Sequence, residues 1–399
     1  MRIKIVVQRY GADLLGGAER HAALMAGLLA RHHDVEVLTT TAGDYHTWSA
    51  AYPAGTSVID GVSVRRFPVA RGRTPGWSVV SELLHEDFEP SRFALLPEAR
   101  RRAFVARIRA WPEPLQEEFI RGQGPVAPEL LATLEQAEYD RVLFVTYLYP
   151  TTYDGLLAVE PERARVVPTL HDEPAAHLPV FGRRLNRATL LCSTQAEIRL
   201  AHRLWTEAPE ARLLGYGIDL PPDPRDPFDT QNPFLLYAGR IDTHKGIGEL
   251  LDWYDALHEI EASPPSLVLI GEPSMPLPKR PGLEVRGFVP EMEKIDLMRR
   301  ALAFVHPSPF ESLGIVLLEA LAVRTPIVVN GGSEVMVEHC KRSGAGLWVE
   351  DRARFVAAIR RLRSDPTLRT TLGARGRAYV EQDYSLASYE QQLLREFPP

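Results

Sequence analysis

The stretch PFESLGIVLLEALA, residues 309–322, places one carboxylate just before an apolar helix pattern and a second inside it, at Glu311 and Glu319. A helix start offers unpaired backbone N–H groups and a partial positive charge, which makes it a ready phosphate site. Ser312, Leu313 and Gly314 are placed to present such groups. Carboxylates do not bind phosphate, but each accepts hydrogen bonds from two hydroxyls. The pattern therefore predicts a diphosphate with hydroxyl-bearing groups at both ends. Standing alone, Glu311 reads more simply as a helix cap and Glu319 as half of a surface ion pair. The context argues otherwise, because Glu319 lies within Leu317-Leu318-Glu319-Ala320-Leu321, where a solvated carboxylate is not expected.

A second stretch, YAGRIDTHKGIGEL at 237–250, supplies cations. A strand ends at Gly239, Arg240 follows, and Lys245 precedes a glycine that opens a helix. Arginine offers a planar fork and lysine a point charge, a combination suited to a pyrophosphate. Solvated loop cations are the plain alternative for this stretch taken by itself.

These residues need strands and helices to bring them together. Short β-rich runs alternate with helical patterns almost throughout, which predicts a parallel α/β architecture. The first half reads as strands at Ile3–Gln8, Val35–Thr40, Val62–Val69, Arg141–Tyr147, Val166–Leu170 and Thr189–Ser193, with a clear helix at Ala18–Ala30. The proline-rich PPDPRDPFDTQNP, 221–233, reads as a linker. A new α/β series follows, with strands at Phe234–Gly239, Leu267–Ile270, Leu283–Phe288, Ala303–Pro307, Pro326–Asn330 and Gly346–Val349. Two similar halves predict two Rossmann-like domains facing a central cleft, with ligand at the carboxyl ends of the strands. Residues 74–135 read as a helical insertion in the first domain, with Arg100, Arg101 and Arg102 clustered and Phe104, Ile108 and Trp111 on one helix face. Packing on its own domain is the simpler use of that helix; contact with lipid or a lipid-linked substrate is the other.

Composition narrows the function. The 399 residues suffice for two cores. A net charge of −6 gives no basic field for nucleic acid, so no nucleic-acid partner is expected. Cys192 and Cys340 fit no metal spacing and suit a reducing, cytoplasmic setting. The opening MRIKIVVQRYG reads as a strand rather than a secretory signal. No run approaches the ~18 apolar residues of a membrane span. Any membrane contact is therefore expected to be peripheral.

Three motifs, AGRIDTHKG, VRGFVP at 285–290 and HPSPFESLGIVLLEALAVRTPIVV, together resemble the nucleotide-sugar half of retaining glycosyltransferases, the large group with glycogen and sucrose synthases. LLGGAERH (14–21), VVPTLHDE (166–173), LLGYGIDL (213–220) and YSLASYEQQLLREF (384–397) resemble other segments of that family. The resemblance implies the GT-B architecture. It divides the chain into an acceptor-side domain, 1–220, completed by a C-terminal helix at 384–399, and a donor-binding domain, 221–383. It also implies roles. Arg240 and Lys245 neutralise the leaving diphosphate, and Glu311 holds donor-sugar hydroxyls near the N–H groups of Ser312, Leu313 and Gly314. Glu319 binds the ribose, while Gly287, Phe288 and Val289 lie by the base. Gly16, Gly17 and Gly239 allow close backbone approach. His171 contacts the sugar or the reaction centre, and Glu334 is a weaker candidate near it. The donor would be a UDP- or GDP-linked sugar, and the acceptor a glycan, a lipid-linked or a small molecule. No cofactor is implied.

The chain departs from the family at Arg324 and Tyr216, where glycine and asparagine are common; Arg324 implies a different helix cap. No Asp-x-Asp metal motif occurs, and Glu291-x-Glu293 reads as an exposed helix start. A metal-independent reaction is therefore expected, with Arg240, Lys245 and the helix end in the metal's place. A dinucleotide oxidoreductase would need a Gly-x-Gly-x-x-Gly that YGADLLGGAERH does not supply. A phosphorylase of similar architecture would need a cofactor lysine and a longer chain. A catalytically inactive sugar-nucleotide binder is the remaining alternative.

Overall fold

The computed structural model describes residues 1–11, 16–85, 93, 96–205, 209–223 and 232–399. Most of the expected linker, 224–231, and part of the first glycine-rich loop, 12–15, lie outside the described residues. The chain divides into two units. Met1–Asp87, Pro97–Gly217 and Tyr389–Pro399 form the first; Ile218–Ser388, with Phe93 and Leu96, form the second.

The first unit is built on β1 (Arg2–Val6), β2 (Asp34–Thr40), β3 (Gly55–Ile59), β4 (Val62–Phe67), β5 (Arg141–Val145), β6 (Ala164–Val167), β7 (Thr189–Cys192) and β8 (Ala211–Leu213). Their order in the sheet is β3-β4-β2-β1-β5-β6-β7-β8. Neighbours run parallel except β3, which is antiparallel to β4. The order reverses at β1, which has β2 on one side and β5 on the other, so the loops after β1 and β5 diverge at the sheet's carboxyl end. Between β4 and β5 the chain forms helices Trp77–His85, Glu98–Arg109, Glu113–Gln123 and Pro128–Gln136. Phe104 and Ile108 are buried on the second of these, which ends at Arg109. Trp111 lies beyond that end, its N–H bonding the Ile108 carbonyl at 3.1 Å, so it does not extend the face as the spacing predicted. The Leu386–Glu396 helix buries Tyr389 and Leu393 in the same core as Ile3, Ile5 and Leu29.

The second unit has β9 (Phe234–Ala238), β10 (Ser266–Ile270), β11 (Leu283–Val285), β12 (Ala303–His306), β13 (Ile327–Asn330) and β14 (Gly346–Val349). All pairings are parallel, in the order β11-β10-β9-β12-β13-β14. Strands such as FLLYA and IVVN are buried along their whole length, as helices on both faces of a parallel sheet require. β11 is shorter than the expected Leu283–Phe288 because the chain turns at Gly287, whose φ is 65°. Here the order reverses between β9 and β12. The loops carrying Arg240, Lys245 and Glu311 leave the sheet at that switch point.

Candidate active site

The loop after β9 is locked by local bonds. The Tyr237 hydroxyl donates to the Arg240 carbonyl at 2.7 Å. Burial, with the charges of Glu311 and Asp242 close by, pushes the Tyr237 phenol well up, so it remains a donor. The Asp242 carboxylate accepts the Lys245 backbone N–H at 2.8 Å and lies 3.3 Å from Arg240 Nη1. Arg240's side chain is about half exposed. Lys245 is three-quarters buried, and its Nζ donates to Glu311 Oε1 at 2.5 Å.

The loop after β12 is held from two sides. Asn330 Nδ2 donates to the Pro307 carbonyl at 2.7 Å, and Asn330 Oδ1 accepts the Gly332 N–H at 2.8 Å. Ser308, fully buried, donates to the Phe310 carbonyl at 3.0 Å. The Leu313 carbonyl lies 2.8 Å from His339 Nε2, while His339 Nδ1 lies 3.0 Å from the Tyr379 hydroxyl. A carbonyl can only accept, so Nε2 carries the proton. Burial pulls the His339 imidazole down to about 4 and keeps it neutral near pH 7. Gly314 caps the Ile315–Ala322 helix with φ 79°, a conformation that disfavours a side chain. A Cβ there would also meet Met336 Cε at 2.6 Å. The helix start is thus fixed beside Glu311.

His306, the last residue of β12, is 3% exposed, and its Nε2 lies 3.6 Å from Glu311 Oε1. Burial holds its imidazole at about 4. It therefore sits as a neutral group beneath the Lys245–Glu311 pair. Glu319 is buried, and Lys294 Nζ of the Glu291–Arg300 helix donates to its Oε2 at 2.7 Å. The alternative for Glu319 was a surface ion pair; the ion pair exists, but it is buried. Gly287 is tied to the end of β10 by the Gly271 N–H at 2.8 Å, and Phe288 is 67% exposed. Val289 is half-buried, and Glu334 is an exposed first residue of the Glu334–Ser343 helix. Arg324 has φ 66°, so this arginine keeps the left-handed backbone that glycine would favour. The expectation of a different cap is thereby corrected. Asp223 grips the Arg324 guanidinium at 2.6 and 2.7 Å.

Gly16, Gly17 and His171 lie in the first unit. Gly16 is the N-cap of the Gly17–Leu29 helix, and a Cβ on it would meet Glu19 Oε2 at 1.9 Å. Arg9 Nη2 donates to Glu19 Oε1 at 2.5 Å. His171 follows β6, with its Nδ1 3.5 Å from Glu173 Oε1, which also accepts the Tyr147 hydroxyl at 2.9 Å. Asp172 bonds His177 Nε2 at 3.0 Å and pairs with Arg101; burial opposes its charge, but these partners hold its carboxyl at about 2. Glu197, fully buried, accepts the Leu170 and Ser193 N–H groups at 2.6 Å each and fixes the loop before His171. Burial pushes its carboxyl up to about 7.

The structure thus brings Arg240, Lys245, Glu311 and the Ser312–Gly314 turn to one pole of the second sheet, with Glu319 on the helix that starts there. His171, Gly16 and Gly17 share the corresponding pole of the first. Lys294, His306, His339 and Glu197 were not picked out from sequence. Glu197 had a signal, because Thr194-x-x-Glu197 is a capping box; the Glu197 N–H bonds Thr194 Oγ1 at 3.0 Å. His306 is the first residue of the quoted HPSPFESLGIVLLEALAVRTPIVV. Lys294 had no local signal.

Residues 223–379 match the family model described as Glycosyl transferases group 1. TuaC of Bacillus subtilis (strain 168) is 27% identical over 252 residues, covering 57% of this chain and 63% of its own length. The match thus leaves over a third of TuaC unspanned. A glycogen synthase of Mycobacterium tuberculosis (strain ATCC 25618 / H37Rv) is 24% identical over 96% of this chain and 91% of its own. The solved structure of Anabaena HepE in complex with UDP and glucose superposes with TM-score 0.64 and 16% identity, covering 100% of this chain and 99% of HepE. The two parallel-sheet units are those of the GT-B fold.

Proposed function

We propose that this chain is a retaining glycosyltransferase that moves a glycosyl group from a nucleoside-diphosphate sugar to a glycan, lipid-linked or small-molecule acceptor. The observation that carries this is the 2.5 Å contact of Lys245 with Glu311 at a switch point within the residues that match the group 1 family model. Arg240, Lys245 and the amides of Ser312, Leu313 and Gly314 stabilise the departing diphosphate, a fixed electrostatic environment that needs no metal. Glu311 accepts hydroxyls of the transferred sugar, and Glu319 those of the ribose. Phe288, with Gly287 and Val289, meets the base, and Gly239 lets the β9 loop approach the phosphates. Glu334 stands at a further helix start near them. His171 contacts the transferred sugar or the reaction centre, and Gly16 and Gly17 let the backbone approach the donor closely. The bond from the anomeric carbon to the phosphate oxygen breaks, and the acceptor oxygen attacks from the same face. Its proton passes to the leaving phosphate.

The donor is UDP- or GDP-linked, the uridine form being favoured by the UDP in the HepE structure. The enzyme works in the cytoplasm, with any membrane contact peripheral. Among the described residues no helix is long and apolar enough to cross a membrane. The test is release of nucleoside diphosphate from a panel of UDP- and GDP-sugars offered with mixed acceptors. Turnover with one donor supports the assignment; nucleotide binding without turnover on any donor overturns it in favour of an inactive binder.

A further inference from the structure

The buried pair of Lys294 and Glu319 calls for a reason beyond folding. Lys294 is 9% exposed on the Glu291–Arg300 helix, whose other buried residues are the apolar Leu297 and Met298. An apolar side chain would continue that face without burying a charge. The Lys294 ammonium instead lies 2.7 Å from Glu319 Oε2 and 2.8 Å from Glu291 Oε1. Glu291 is largely exposed, so the ammonium joins an outer carboxylate to an inner one. Replacing such buried pairs by apolar residues is often neutral or stabilising, so stability alone does not explain the lysine. A carboxylate that must grip two hydroxyls, however, needs one fixed rotamer and a nearby counter-charge.

We infer that Lys294 is a positioning and specificity residue: it orients Glu319 to read the ribose hydroxyls of the nucleotide. The inference rests on the proposed role of Glu319. Lys294 touches no reacting atom, so its loss should raise KM and leave kcat at saturating donor within about threefold of wild type. Hydrogen bonds to a charged acceptor are worth roughly tenfold or more in affinity. Wild type should therefore bind a ribonucleotide about tenfold more tightly than its 2′-deoxy form.

The test is titration calorimetry with UDP, GDP and their 2′-deoxy forms on the full chain, comparing wild type, Lys294→Arg, Lys294→Met and Glu319→Gln. Lys294→Met should lower ribonucleotide affinity to that of the deoxy form and leave the deoxy form little changed. Glu319→Gln should behave alike, and Lys294→Arg should keep part of the preference. Should Lys294→Met give no soluble protein, Lys294→Gln carries the same comparison. A Lys294 variant that weakens both nucleotides equally, keeping the preference, overturns the proposal alone. A wild type without the preference overturns the ribose role of Glu319 and this proposal with it.

Discussion

Lys245 Nζ lies 2.5 Å from Glu311 Oε1 and joins the loops after β9 and β12 where the strand order of the second sheet reverses. One direct contact thus ties the cation of the first loop to the acid of the second. Lys245→Ala should lower kcat by about 10²–10³, the usual effect of removing one preorganised electrostatic donor. Lys245→Arg should recover part of it. Steady-state release of nucleoside diphosphate measures both, and unchanged kcat in Lys245→Ala would remove Lys245 from the mechanism.

Gly314 fixes the helix start that faces Glu311. Gly314→Ala must hold a side chain at φ 79° and displace Met336, whose Cε is 2.6 Å from the added atom. Destabilisation on the order of 1–3 kcal/mol should follow. Thermal denaturation reads it, and a Gly314→Ala melting temperature equal to wild type would show that the turn accepts a side chain.

Arg324 gives a prediction of the opposite sign. A non-glycine residue in the left-handed region costs about 1–2 kcal/mol, whereas an exposed ion pair contributes about 0.2–1 kcal/mol. Arg324→Ala loses the Asp223 contacts and keeps the strain; Arg324→Gly loses both. The glycine variant should be more stable than the alanine variant by about 1 kcal/mol. Equal melting temperatures would show that the backbone there is unstrained.

The buried histidines set an acid limit. Burial holds His306 and His339 at about 4 in the folded chain, below the ordinary value of about 6.5. The unfolded chain binds the extra protons first as pH falls, so stability is full above about pH 6.5 and is lost toward pH 4. His339→Gln should flatten that loss in melting temperature between pH 7 and 4.5. A slope identical to wild type would mean that His339 does not contribute to it.

Much of this was readable in advance, and the exceptions have physical causes. Buried parallel strands such as AFVH and IVVN announce themselves because both faces are covered. β3 and β8 escaped notice: GTSVI lies exposed at the sheet edge, and ARL is only three residues long. The acids at 311 and 319 and the cations at 240 and 245 stood out because each interrupts an apolar or glycine-marked pattern. Lys294 did not, since its meeting with Glu319 is made by two helices packing together, and no spacing along either one encodes that contact. Arg324 shows the same limit at a single residue: the chain keeps a glycine-like backbone without the glycine.

Calorimetry with nucleoside diphosphates and monophosphates on wild type, Arg240→Ala and Lys245→Ala asks whether the pole of the second sheet holds a pyrophosphate. UDP or GDP should bind wild type at least tenfold more tightly than the matching monophosphate, and the difference should shrink in both variants. Equal binding of diphosphate and monophosphate by wild type, or variants that keep the full difference, would contradict the assignment.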